Sequence, residues 1–284
     1  MSVTWTFESL TVALMAVSAG IYSLGVRAAW RQGGAGACFG PWQVAAFCTG
    51  MMALAIALLS PLDWLSDVLF SAHMTQHEVL MLVAAPLLVL GQPLLAMFWA
   101  VPGGRRGTVA HVFRRPGIVS TWHLFTTPLV VFLLHGTALW IWHLPALFEW
   151  ALHSEPVHAV QHLSFLGTAA LFWWGMVNGR YGRAGYGVGV LYVFLTALHS
   201  TVLGALLTVA PSTWYRSYES TAAQRRIDAL ADQQLAGLIM WVPSGVIFIV
   251  IGLVLVTAWL GESERRVLLG STSTPHARGA RDGV

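Results

Sequence analysis

Seven stretches of this chain are long and apolar enough to cross a lipid bilayer, and that pattern restricts the fold more than any other feature. They lie at roughly 7–29, 42–60, 72–91, 119–141, 157–177, 186–209 and 235–260. A helix needs about 20 mostly apolar residues to span the hydrocarbon core. Inside lipid every backbone N–H and C=O must find a partner within the chain, which leaves helices or closed barrels. Runs of this length specify helices. Of the 284 residues, 56% are hydrophobic and only 10% are charged, against about a quarter charged in a soluble domain. The 14 tryptophans suit aromatic belts at the two interfaces. The sequence therefore predicts an all-α polytopic membrane protein, a seven-transmembrane-helix bundle over 1–260, with a disordered polar tail over 261–284. The lipid bilayer is its first partner. The net charge of +3 is spread over loops, so no nucleic-acid surface is expected.

Prolines subdivide the pattern. Pro86, Gly91 and Pro93 should kink or break the third span, and Pro128 and Pro243 should bend the fourth and seventh. Loop charges orient it. Arg27 and Arg31, then Arg105, Arg106, Arg114 and Arg115, then Arg180 and Arg183, and finally Arg265 and Arg266 fall on alternate connections. The connections between carry Asp63 and Asp67, or Glu149 and Glu155, and no arginine. By the positive-inside rule the N-terminus is outside and the C-terminus cytoplasmic. The long 210–234 connection mixes both signs and should carry a short surface helix.

With that orientation most of the 11 histidines collect in the outer half. His73 and His77 open the third span, and His158 and His162 open the fifth. Both pairs have the i, i+4 spacing that puts two rings on one helix face. His143 closes the fourth span, and His135 lies eight residues earlier, about 12 Å deeper. Ionisable groups within a span are costly and face a bundle interior or a partner. Imidazoles converging at one depth have the pattern of a metal site, with His73, His77, His158 and His162 as candidate ligands. A histidine in a span can also be a packing residue held by a hydrogen bond, and His199 is read that way. His111, His123, His153 and His276 are read as wetted positions. Asp63, Glu78, His135 and Asp232 are candidates to sit behind the ligands and orient them.

Met74 directs the choice of ion. Thioethers select soft ions, above all Cu(I), whereas imidazole alone serves copper, zinc, iron and nickel. Met74 and His143 are thus candidate ligands for uptake or exchange of copper. Zinc hydrolysis is the alternative. The His-Glu-x-x-His pattern fails because Met81 stands four residues after His77, but Glu78 or Asp232 could serve as a base. Haem held between histidine pairs is a third reading. The cysteines Cys38 and Cys48 match no metal or redox spacing.

Three strings carry a wider likeness: FSAHMTQHEVLMLVAAPLLVLGQP at 70–93, ALWIWHLPALFEWAL with HAVQHLSFLGTAALFWW within 138–174, and DQQLAGLIMWVPSG at 232–245. They resemble the multi-span CtaG family of cytochrome c oxidase assembly factors, associated with caa-type oxidases. The motif positions are His73, Met74, His77, Trp142, His143, Pro145, His158, His162, Asp232 and Gln233. The resemblance implies a multi-pass protein of the bacterial plasma membrane needed to mature a haem–copper oxidase. Joined to the ligand pattern, it gives a metallochaperone rather than an enzyme. Its expected partners are oxidase subunits or another copper protein at the outer face.

Overall fold

The computed structural model describes residues 9–34, 36, 38–178 and 185–272, with side chains described to Glu264. The described chain is helical, and no strand occurs among the described residues. Thirteen helices follow one another: α1 (Ser9–Gly33), α2 (Pro41–Leu59), α3 (Pro61–Ser66), α4 (Phe70–Leu90), α5 (Pro93–Ala100), α6 (Gly103–Phe113), α7 (Pro116–Phe125), α8 (Pro128–Trp142), α9 (Pro145–Leu152), α10 (Glu155–Val177), α11 (Tyr186–Val209), α12 (Arg216–Arg225) and α13 (Ala229–Thr272). Proline opens seven of them at the first or second position. There its missing N–H is no loss and its fixed φ favours the helix.

Five helices are long and apolar enough to cross a membrane: α1, α2, α4, α11 and α13. A sixth span results if α7 and α8, bent by 58° at Thr126–Thr127, are counted together. The expected bend at Pro128 is thus a true break, since Pro128 starts a new helix. The fifth expected stretch forms helix α10, which has the length but not the apolarity of the others. His158, Gln161, His162 and Ser164 fill its first turns with polar side chains. α13 runs through Pro243 without ending and continues past Gly261 to Thr272. The expected disordered tail therefore begins no earlier than 273, and its remainder, with His276, lies outside the described residues, as do Arg180 and Arg183.

α4 is not a uniform α-helix. Val79–Ala84 form a π-helical stretch immediately after His77 and Glu78. Pro86 cannot donate to the carbonyl four residues back, and widening the preceding turn accommodates it. Trp173 Nε1 donates to the Met81 carbonyl at 2.8 Å within this stretch. α4 stops at Leu90, and Gln92 then takes the left-handed conformation, φ 56°, before Pro93 opens α5. α11 and α13 pack closely against each other. A Cβ on Gly204 would stand 2.8 Å from Trp241 Cβ, and one on Gly237 would stand 2.6 Å from the Gly204 carbonyl oxygen. Only glycine permits that approach.

One end of the bundle is capped. α3, α9, α12 and the 210–215 connection lie over the N-terminal ends of α4, α10 and α13. Tyr218 Oη donates to the Ser66 carbonyl (2.7 Å), Tyr215 Oη donates to the His143 carbonyl (3.0 Å), and the Ser217 N–H donates to Glu149 (3.0 Å). The expected short helix in 210–234 is α12. At the opposite end Arg106 donates to Gln32 Oε1 (2.8 Å) and lies over the Trp99 ring.

Candidate metal centre

The first two turns of α4 point their chemistry inward. His73 is 0% exposed, His77 1% and Met74 1%. α10 presents His158 and His162 to them, both half-buried. The rings of His73 and His158 stack at 5.2 Å between centroids, His77 and His162 meet at 5.2 Å, and His73 and His162 at 6.3 Å. One ring nitrogen from each of His73, His158 and His162 falls within 4.8 Å of the others. The i, i+4 spacing has placed the pairs as expected, with their own centroids 4.4 Å and 4.2 Å apart.

Hydrogen bonding leaves nitrogens of His73, His77 and His162 open. No nitrogen of His73 or His77 makes a hydrogen bond of normal geometry, the nearby Ser66 carbonyl included, and neither does Nε2 of His162. Buried polar atoms are nearly always paired. Several orphaned imidazole nitrogens around one point could serve as a donor set for a cation, since each neutral ring offers one lone pair.

Met74 and His143 form a second arrangement beside it. His143 Nδ1 lies 2.7 Å from the Leu139 carbonyl. A carbonyl can only accept, so Nδ1 carries the proton and Nε2 presents a bare lone pair in the neutral ring. That Nε2 faces Met74 Sδ at 3.5 Å, both residues buried. Two Lewis bases face each other with no proton between them. Metal–nitrogen and metal–sulfur bonds of about 2.0 and 2.3 Å would close a triangle on that separation at roughly a tetrahedral angle.

A roof of aromatic rings covers the site. Phe148 lies 5.0 Å from His73, Tyr218 6.5 Å from His73, and Phe70, Phe148 and Tyr215 pack on one another at 4.1–5.4 Å. Below it Phe165 packs on His77 at 4.7 Å. The donor set is therefore enclosed above and below.

The carboxylates act one step back from the rings. Asp232, on α13, accepts from the Phe70 N–H (2.7 Å), the Ser71 N–H (3.4 Å) and the Ser71 hydroxyl. It caps the start of α4 from another helix, accepting from N–H groups that have no partner within α4. Asp63 Oδ1 accepts from Gln76 Nε2 (2.9 Å), which also donates to the Ala57 carbonyl (2.7 Å). Both fix the helix that carries His73 and His77. Glu78 is 9% exposed, with Oε2 unpartnered. His135 is not with the cluster: its Nδ1 bonds Thr168 Oγ1 at 3.0 Å, and its ring neighbours His199 at 6.2 Å.

Several contributors were not legible in the sequence, or, like Trp142 and Gln233, were legible only as motif positions. Gln161 is fully buried with both amide atoms unpartnered, on the helix of His158 and His162. Tyr215 and Tyr218 form the roof. Trp142 Nε1 donates to Ser164 Oγ (2.8 Å) and ties α8 to α10. Gln233 accepts from the Trp214 N–H (2.7 Å) and donates to the Ser212 carbonyl, holding the connection under the cap. His-x-x-x-His spacing finds the ligand faces, but no local signal finds the residues that close over them. Asp67, in the cap between α3 and α4, has its carboxyl pushed up to about 6, first by burial and then by Asp63 and Glu155 nearby.

Similar proteins place this architecture. An uncharacterized protein of Mycobacterium bovis is 27% identical over 277 residues, covering 92% of this chain and 40% of its own length. One of Mycobacterium leprae is 24% identical over 275 residues with the same coverages. The chain thus spans about two fifths of the length of the curated relatives it matches. No solved structure matches it. Residues 20–262, which include every element of the histidine site and its cap, match the cytochrome c oxidase caa3 assembly factor family, and the chain belongs to that family.

Proposed function

We propose that this protein handles copper for the assembly of a haem–copper oxidase. It would hold Cu(I) at the capped end of the bundle and release it to an oxidase subunit or another copper protein on the outer face of a bacterial plasma membrane. The observation that carries the reading is the set of unpartnered imidazole nitrogens from α4 and α10 beside the Met74–His143 pair. Neutral nitrogens and a thioether, with Asp232 committed to capping and Asp63 to Gln76, favour a soft monovalent ion over a hard or doubly charged one. His73, His77, His158 and His162 are the holding ligands, and Met74 and His143 form the adjacent exchange pair. Glu78 stands below them as a buried carboxylate. Two overlapping ligand groups suit transfer, because an ion can change partners without leaving the protein. No step of bond chemistry is required, so the protein acts as a carrier rather than a catalyst.

The topology belongs to the same reading. α10 is 23 residues long, about 35 Å, enough to cross the hydrocarbon core. Its polar first turns turn toward the donor set rather than toward lipid. Counted with α7–α8, it brings the bundle to seven spans. The arginine distribution then supports an outer N-terminus and an outer cap.

Elemental analysis of the full chain purified under reducing conditions tests this. Copper is expected bound, and the copper held at the capped end is expected lost in a His73→Ala/His77→Ala variant. Zinc in its place, with amide hydrolysis that needs Glu78, would replace this reading with a membrane hydrolase. No metal above background would leave a scaffold for assembly.

A further inference from the structure

A second histidine pair lies deeper in the bundle and is used by nothing described above. His135, on α8, is 7% exposed; His199, on α11, is half-buried; their ring centroids are 6.2 Å apart. His135 sits eight residues before His143, about 12 Å further from the cap. Leu139 and Phe165, 1% and 0% exposed, are the buried apolar side chains at the intervening level.

The tautomer of His135 follows from its neighbours. Thr168 has one hydroxyl hydrogen, and it donates that to the Ser164 carbonyl at 2.8 Å. The 3.0 Å contact between His135 Nδ1 and Thr168 Oγ1 must then be donated by the histidine. Nδ1 carries the proton, and Nε2 keeps its lone pair. A ring nitrogen fixed from behind by a hydrogen bond is the usual state of a metal-ligating histidine. Neither nitrogen of His199 has a partner. Leaving both unsatisfied inside an apolar span is costly, and turning that ring breaks no hydrogen bond.

We propose that His135 and His199 form a second cation site, which holds Cu(I) between two imidazoles. Two rings joined through one linearly coordinated ion have centroids about 6 Å apart, given metal–nitrogen bonds of about 2 Å. Two neutral ligands leave the ion's charge uncompensated, and the solvation cost in lipid rises with the square of that charge, so a monovalent ion is selected over Zn²⁺. Haem does not fit: a Cβ on Gly136 would stand 3.6 Å from His199 Nε2, so that ring lies against the backbone of α8 with no slot for a porphyrin. The choice of copper as the ion rests on the function proposed above; the site itself does not.

Anaerobic Cu(I) titration of the full chain in detergent against a chromophoric chelator tests it, with wild type, His199→Gln and His73→Ala/His77→Ala compared. The His199→Gln chain is expected to lose a single copper and keep the outer one. The double variant is expected to retain a single copper, whose X-ray absorption edge and scattering show two nitrogen neighbours. Equal copper in wild type and His199→Gln, or no copper in the double variant, overturns the deeper site and leaves the outer one standing. Retention of the full copper complement by the double variant, with loss in His199→Gln, would instead overturn the outer site.

Discussion

α4 and α10 each contribute two histidines with identical spacing, yet the two pairs sit in different surroundings. His73 and His77 are sealed beneath Phe148 and Tyr218, and their helix is held by Asp232 and by the Gln76 contacts with Asp63 and Ala57. His158 and His162 are half-buried, and their helix is tied to α8 by the Trp142–Ser164 bond. The difference teaches that equal ligand spacing need not mean equal roles. A sealed, pre-positioned pair is suited to holding an ion, because its nitrogens lost their water when the protein folded. A half-open pair helps to hold it but binds it less tightly, because its residues are less completely withdrawn from water.

The sharpest way to break this contrast is to remove each pair in turn. His73→Ala/His77→Ala should weaken Cu(I) binding on the order of 100-fold, and His158→Ala/His162→Ala about 10-fold. Chelator competition measures both, and equal losses would erase the distinction. Next in size is the cap of α4. Asp232→Ala leaves the Phe70 and Ser71 N–H groups without their acceptor and should cost about 1–2 kcal/mol of thermal stability. Copper affinity should fall with it, and Asp232→Asn should recover most of both. Met74→Leu keeps the volume and deletes the sulfur. It should weaken copper binding several-fold, on the order of 1 kcal/mol, with little change in melting; a large loss of stability would mark Met74 as a packing residue. Trp142→Phe removes the bond to Ser164 together with part of the indole's packing and should cost about 1–2 kcal/mol, felt by the α10 pair and not by the α4 pair.

The smallest effect concerns pH. The Asp67 carboxyl titrates near 6 in the folded protein, above its ordinary value of 3.8. The folded state therefore holds that proton more tightly than the unfolded chain does. Stability from this group should fall as pH rises from about 4 to about 6 and then level off. Thermal unfolding across that window should show the slope, and Asp67→Asn should remove it.

Much of the fold was legible because lipid allows few solutions. Apolar length located α1, α2, α4, α11 and α13, and proline marked the breaks at Pro93 and Pro128. α10 and the stretch past Gly261 show where length and polarity mislead: α10 falls short of the others' apolarity because of the polar side chains in its first turns, and a polar, glycine-containing stretch can still extend a helix, as α13 does past Gly261. In the site, helical periodicity brought His73 to His77 and His158 to His162. It could not show that His135 would leave the group for Thr168 and His199, because that depends on how α8 lies against α10 and α11.

The sequence alone determined that this chain builds helices for a membrane, and that two of them carry paired imidazoles on one face, since a bilayer demands internal hydrogen bonds and 3.6 residues per turn aligns i with i+4. Only the tertiary structure decided which faces meet. It placed Asp232, 162 residues from Phe70 in the chain, at the start of α4, and His143 Nε2 against Met74 Sδ. Contacts between helices distant in the chain are set by how side chains and close-packed glycines let those helices approach, and local spacing does not encode that.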